Sequence, residues 1–283
     1  MNFAITQDFY SQSEFDKFRS EKPEFFSQTC EDIIVAHCRL HGAWNNIIGN
    51  VPPEDVAVIG PEMREHFMIG GLNSRQRAVI NEIVNSYQEL GLTTRDVKIY
   101  GHEAVTPLAL RMRGVFPKYY GTEYARTQTE RDELWPIAHG DICQSDLPSG
   151  KFDIVMSCEV FEHVPDIDAA LRESCRLLRS GGRFIGTFPF FSESSKSLRM
   201  AEIRDGKPFF LVEPPEYHGN PMDPQGGSLV FENPAWDILD RAREAGFSKA
   251  KIRLVVDQSR GIVASEMLRP IKTRGVFIAI FDK

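Results

Sequence analysis

Phe152-Asp153-Ile154-Val155-Met156-Ser157-Cys158-Glu159-Val160-Phe161-Glu162-His163-Val164-Pro165 is the stretch on which the fold turns. Its apolar run, Ile154 to Met156, is too short for a helix and is bounded by charge, so it reads as a strand buried on both faces of a parallel sheet. Ser157, Cys158 and Glu159 then mark where the strand leaves the sheet, the edge at which open α/β sheets hold ligands. Pro165 precedes a helix predicted from about Ile167 to Arg179, and Gly181-Gly182 stops it. Arg183-Phe184-Ile185-Gly186-Thr187-Phe188 reads as a second buried strand, which completes a βαβ unit.

This unit resembles class I S-adenosylmethionine-dependent methyltransferases of type 11. FDIVMSCEVFEHVPD, the helix and LLRSGGRFIGTFP follow the order of that family's central strand, loop and next strand. The likeness is specific here, extends loosely from about Asp96 to the C-terminus, and leaves the N-terminal third uncovered. It implies an α/β fold: a Rossmann-like, doubly wound, seven-stranded sheet with an antiparallel last strand. The implied organisation is an N-terminal extension, 1–72, mostly helical, and a methyltransferase domain, 73–283, with an insertion at about 190–234.

The composition agrees with a soluble globular protein. The chain has 283 residues, 42% of them hydrophobic and 26% charged, enough for a sizeable core. A net charge of -7 argues against nonspecific nucleic-acid binding, which wants a basic surface. Five cysteines without a CxxC pair or regular framework point to reduced thiols in a cytoplasmic protein. The start, Met1-Asn2-Phe3-Ala4-Ile5-Thr6-Gln7-Asp8, lacks a basic-then-apolar segment, and no run approaches the ~18 apolar residues of a membrane span.

Along the chain, Ser13–Phe18 and Glu31–Cys38 read as short helices, and Pro52-Pro53 as a turn. This part reads as a structural appendage, with a lid or oligomer contact as the alternative. Asn73 to Leu90 has helical spacing and Gly91 as its stop. A similar GLNSRQRA segment follows a zinc knuckle in some methyltransferases of glycan biosynthesis. Here Met68, Ile69, Gly70 and Gly71 stand in place of cysteines, so no zinc is carried over. Strands are expected at Val97–Gly101, Lys118–Glu123, Trp135–Ile142, Lys251–Val256 and Val276–Phe281, with helices at Ala104–Arg113 and Trp236–Ala245. The insertion between Phe190 and Pro234 carries Gly206, Pro208, Pro214, Pro215, Gly219, Pro221 and Pro224, which predict an ordered, irregular loop. So long a loop in a compact domain is usually a lid or substrate loop.

The resemblance also implies a cofactor site for S-adenosylmethionine. The family's glycine-rich turn is reduced to Gly101 and His102, and Tyr100 stands where an acid is usual. Glu123, followed by Tyr124, matches the acid that accepts both ribose hydroxyls, and Asp141 with Ile142 the pair that holds adenine. Cys158 and Glu159 would flank the methionyl group. The sulfonium already activates the methyl group, so the protein's work is alignment and removal of the acceptor's proton, for which His163 and His218 are the catalytic candidates. Glu159, Glu162 and His163 form an ExxEH cluster. Some superfamily members hold a divalent cation this way, with His218 able to complete the set, while in others the Glu only caps the next helix.

The leading reading is a methyltransferase acting on a small-molecule or glycan acceptor at oxygen or nitrogen. A non-catalytic binding or scaffold protein on the same fold is the alternative, favoured by the reduced glycine turn. A nicotinamide oxidoreductase is disfavoured by the absence of GxGxxG.

Overall fold

The computed structural model describes residues 2–220, 223, 225–265 and 275–283, so Met1 and, in the insertion, Pro221 and Pro224 lie outside the described residues. Seven strands form the main sheet: β1 (Ala4–Phe9), β2 (Ile99–Gly101), β3 (Tyr119–Gly121), β4 (Phe152–Cys158), β5 (Leu178–Thr187), β6 (Lys249–Asp257) and β7 (Val276–Asp282). Their order is β1-β6-β7-β5-β4-β2-β3. β3, β2, β4 and β5 run parallel. Lys283, just past β7, exchanges backbone hydrogen bonds with Gly181 and Gly182, and Asp282 accepts one from Ser248 ahead of β6, so β7 runs antiparallel to both neighbours. This is the sheet the sequence implies.

One of its seven strands is not where the sequence puts it. Trp135 to Ile142 forms no strand and makes only isolated bridges, a parallel one between His139 and Glu123 and an antiparallel one between Asp141 and Gln144. Pro136 offers no N–H to a ladder, and Trp135 stays 83% exposed instead of packing on a sheet face. The seventh strand is β1, antiparallel to β6 with Asp8 opposite Arg253. The sequence pattern assigns AITQDF to no element, because an edge strand with one buried face needs few apolar residues.

The chain divides into two compact units, residues 1–93 with 251–280, and 94–250 with 281–283. In the first, α1 (Gln12–Glu21), α2 (Gln28–His41) and α3 (Ser74–Glu89) accompany short antiparallel pairs at 43–51 and 56–69. Ser11 and Ser27 cap α1 and α2, and Asn73 with Gln76 forms a capping box on α3. Phe3, Cys30, Ile34, Cys38, Phe67 and Ile69 are among its core residues. Arg77 on α3 is buried, its guanidinium donating to the carbonyls of Phe67, Leu72, Arg260 and Gly261. The segment without cysteines is thus tied together by one cation and four carbonyls.

In the second unit, α4 (Pro107–Val115) links β2 to β3 and α5 (Ile167–Leu177) links β4 to β5. α6 (Ile238–Glu244) lies between the insertion and β6 in sequence. Thr106 and Asp166 cap α4 and α5. α5 ends before the expected glycines, because Leu178 already turns extended and Gly181, at φ 72, bends the start of β5 instead. Phe161, Phe184 and Phe281 are all buried, with Phe184 stacked on Phe281 at 5.3 Å. That core sets the level of the loop that follows β4.

Candidate active site

At the carboxyl end of β2 the turn is held differently from a glycine-rich one. Gly101 has no room for a side chain, since a Cβ there would lie 2.3 Å from the Tyr119 hydroxyl oxygen. Glu123 Oε1, just past β3, accepts from the amides of Ala104 (2.6 Å) and Val105 (3.0 Å). The carboxylate expected to meet ribose therefore anchors residues 104–105, just past the turn after β2. Tyr100 is fully buried, stacks on Phe152 at 5.2 Å and shares a 2.8 Å hydrogen bond with Thr122 Oγ1. Its side chain belongs to the core and lines no opening, because its place inside a short central strand points it at the layer below.

The His102 amide donates to Met156 O at 3.1 Å, and its ring lies edge-on to Tyr100. Neither ring nitrogen has a hydrogen-bond partner, and burial, opposed by the charge of Glu173, pushes the imidazole down to about 3. His102 is neutral. Tyr124 is exposed, Asp141 closes a turn by accepting from the Cys143 amide at 2.8 Å, and Ile142 is buried.

β4 ends at Cys158, and Glu159 follows in the left-handed region at φ 55, its amide donating to Thr187 O at 2.9 Å. A non-glycine residue there costs ~1–3 kcal/mol, a conformation that collects at functional sites. A single 3₁₀ turn, Phe161–His163, then swings Glu162 inward. The insertion closes over it in short ladders, 198–199 with 232–233, 201–204 with 207–210, and 217–218 with 228–229. The Phe231 amide donates to Glu162 O at 2.7 Å, which fixes the insertion on this turn.

Glu162 is 0% exposed, and neither of its carboxylate oxygens has a hydrogen-bond partner. Two imidazole nitrogens flank Oε1, His163 Nε2 at 3.6 Å and His218 Nδ1 at 3.7 Å. The outward nitrogens are both engaged: His163 Nδ1 with Leu229 O and His218 Nε2 with Glu216 Oε1, each at 2.9 Å. Because a carbonyl can only accept, His163 carries its proton on Nδ1. Burial and the nearby Glu159 charge raise the Glu162 carboxyl, against the pull of His218 and His163. Burial would lower His218, but the charges of Glu162 and Glu216 and the hydrogen bond to Glu216 overcome it and raise the imidazole to about 9.

His163, His218 and the ExxEH glutamate Glu162 are thus brought together within the second unit. Tyr100 and His102 lie with the turn after β2, and Glu123, Tyr124 and Asp141 after β3. Sequence reasoning missed the Leu229 carbonyl that fixes the His163 tautomer and the grip of Glu123 on residues 104–105. Both act through backbone atoms, which leave no mark on residue identity.

The parallel strands β3, β2, β4 and β5 with an antiparallel β7 form a Rossmann-like sheet with a polar loop after β4. Residues 101–186 match the family model for the type 11 methyltransferase domain, so this part of the chain carries that domain. The chain is 49% identical over 51 residues to sarcosine/dimethylglycine N-methyltransferase of Halorhodospira halochloris, 17% of this chain and 18% of that protein. It is 34% identical over 100 residues to ubiquinone biosynthesis O-methyltransferase of Paramagnetospirillum magneticum, covering 34% and 40%. The matches span less than half the length of these curated relatives. A solved 1,6-didemethyltoxoflavin-N1-methyltransferase of Burkholderia thailandensis covers 73% of this chain and 78% of its own, at 14% identity and TM-score 0.39. No helix among the described residues is long and apolar enough to cross a membrane.

Proposed function

We propose that the chain transfers a methyl group from S-adenosylmethionine to the oxygen or nitrogen of a small-molecule or glycan acceptor. The observation that carries the acceptor side is the cluster Glu162, His163 and His218, beside the carboxyl end of β4 and roofed by the insertion. The matched family supports the cofactor, and the names of the two curated relatives, one an N- and one an O-methyltransferase, support a small acceptor. The cofactor supplies an activated methyl group. Glu123 and Asp141 would hold its adenosine end, and Cys158 and Glu159 its methionyl end.

The two histidines then have unlike parts. His218, held protonated between Glu162 and Glu216, does not take a proton near neutral pH and instead offers positive charge to an acceptor oxygen. His163, with Nδ1–H committed to Leu229, presents the Nε2 lone pair that would take the acceptor's proton. Calorimetric titration with S-adenosylhomocysteine tests the cofactor, and a chain giving no heat would be a scaffold on this fold. Once an acceptor is found by screening, His163→Ala should lower turnover by ~10²–10⁴ with the cofactor heat unchanged. Unaltered turnover would remove His163 from the chemistry.

A further inference from the structure

We propose that the outward face of the hairpin at 201–210 docks on an anionic lipid bilayer and so brings an acceptor carried in that surface to the insertion. The part played by the acceptor rests on the methyltransferase reading above; lipid binding does not, and is measured without any methyl transfer.

The hairpin stands out from the body. Asp205 (φ 50) and Gly206 (φ 72) make its two-residue turn, both in the positive region such a turn requires. No atom lies within 4 Å of where a Cβ on Gly206 would be, and residues 203–209 are all exposed. The register pairs Glu202 with Phe209 and Arg204 with Lys207, so the period of two puts these four side chains on one face. Ala201, Ile203, Pro208 and Phe210 take the other. Ala201 is buried and Phe210 half-buried, so that second face packs on the body at its root and the first looks outward. Leu211, whose amide donates to Met200 O at 2.9 Å, continues the outward row.

A solvated sheet face is ordinarily polar, yet here Phe209 is 42% and Leu211 44% exposed. The Arg204 guanidinium lies 3.4 Å from the centre of the Phe209 ring and pairs with Glu202 beside it. Residues 196–211 hold the cations Lys196, Arg199, Arg204 and Lys207 against the anions Glu202 and Asp205, in a chain of net charge -7. Arg199 is engaged with Glu232, so Arg204 and Lys207 carry the positive charge of the face itself.

This chemistry selects the partner. Apolar side chains beside arginine and lysine suit a bilayer interface, where the apolar groups dip below the head groups and the cations stay at the phosphates. The positive patch complements anionic lipid, and the negative remainder of the chain is repelled by it, which leaves this face to approach. Size argues against a protein partner. A stable protein interface takes about 20–30 residues a side, whereas the outward face consists of Glu202, Arg204, Lys207, Phe209 and Leu211. A bilayer takes up side chains singly and sets no such minimum.

Backbone hydrogen bonds tie this face to the candidate site. The Leu211 amide donates to Met200 O, the Met200 amide to Phe231 O at 2.8 Å, and the Phe231 amide to Glu162 O at 2.7 Å. A surface held by the hairpin is thus held by the same insertion that roofs Glu162, His163 and His218. The acceptor class that fits is an amphiphile, a polar head bearing the hydroxyl or amine on an apolar tail.

The test is co-sedimentation of the full chain with sucrose-loaded vesicles of phosphatidylcholine, with and without phosphatidylglycerol. Wild type should bind the anionic vesicles about tenfold more tightly than the neutral ones, and raised salt should erase the difference. Phe209→Ser with Leu211→Ser, and separately Lys207→Glu, should each weaken binding to anionic vesicles by about tenfold or more. Ile203→Ser, on the opposite face, should bind like wild type. Melting temperature shows that each variant is folded. Wild type left in the supernatant overturns the proposal, as does full binding by the double variant or an equal loss in Ile203→Ser. A concentration-dependent dimer that the double variant abolishes also overturns it and gives the face to a second copy. Vesicle binding by a chain with no S-adenosylhomocysteine heat overturns the methyltransferase reading and leaves the lipid surface standing, and heat without vesicle binding does the reverse.

Discussion

A methyl group added at Gly101 would strike the Tyr119 hydroxyl, which is itself tied to Glu103 O at 2.7 Å and has nowhere to go. Gly101→Ala should therefore cost about 1–3 kcal/mol in chemical denaturation. Gly114→Ala, on α4 with nothing within 4 Å, should be neutral or mildly stabilising, and an equal loss at both positions would refute the steric account. Glu123→Ala removes the anchor for residues 104–105 and the carboxylate proposed to accept from ribose. S-adenosylhomocysteine affinity should fall ~10- to 100-fold in a protein that still melts cooperatively. Full affinity would take Glu123 out of the cofactor site. At this scale the sequence carried residue types in part: Glu162 and His163 were legible as a cluster with His218 as an addition, while Glu159, read with them, lies outside the group the structure brings together. Tyr100 was not legible, since nothing in its identity says whether a strand-end tyrosine faces a ligand or the core.

Among elements, β1 is attached electrostatically as well as by its ladder. Asp8 sits opposite Arg253 and pairs with it at 2.6 Å and with Lys251 at 2.8 Å, while Glu82 takes the other side of Arg253 at 2.7 Å. Burial would raise the Asp8 carboxyl, but hydrogen bonds and charge from Arg253 and Lys251 win and hold it below its ordinary 3.8. A depressed carboxyl stabilises the fold at pH above its unfolded value and loses that contribution as pH falls through the folded one. Asp8→Asn should thus cost about 1–2 kcal/mol at pH 7, screening included, and the gap from wild type should close below about pH 4. A gap independent of pH would assign the effect to shape. Arg77→Met removes hydrogen bonds from four carbonyls at once and should cost more than about 3 kcal/mol, read as a loss of urea midpoint. β4 and β5 were legible because strands buried on both faces are nearly all apolar. β1 and the stretch at 135–142 were exchanged because an edge strand and a loop share a composition, and only the partner strand decides between them.

For the whole molecule, length and composition foretold a core but not its division. Residues 251–280 group with 1–93 although 157 residues separate them, a long-range pairing that local pattern cannot carry. The insertion was legible by its glycines and prolines as ordered and close to the site, while its short ladders depend on which distant residues pair. Those ladders give the site a clock. The Phe231 amide can exchange with solvent deuterium only when its bond to Glu162 O breaks, and that same rupture carries Leu229 away from His163. Its exchange rate would count how often the imidazole pair comes apart, in the resting chain and with no substrate in hand.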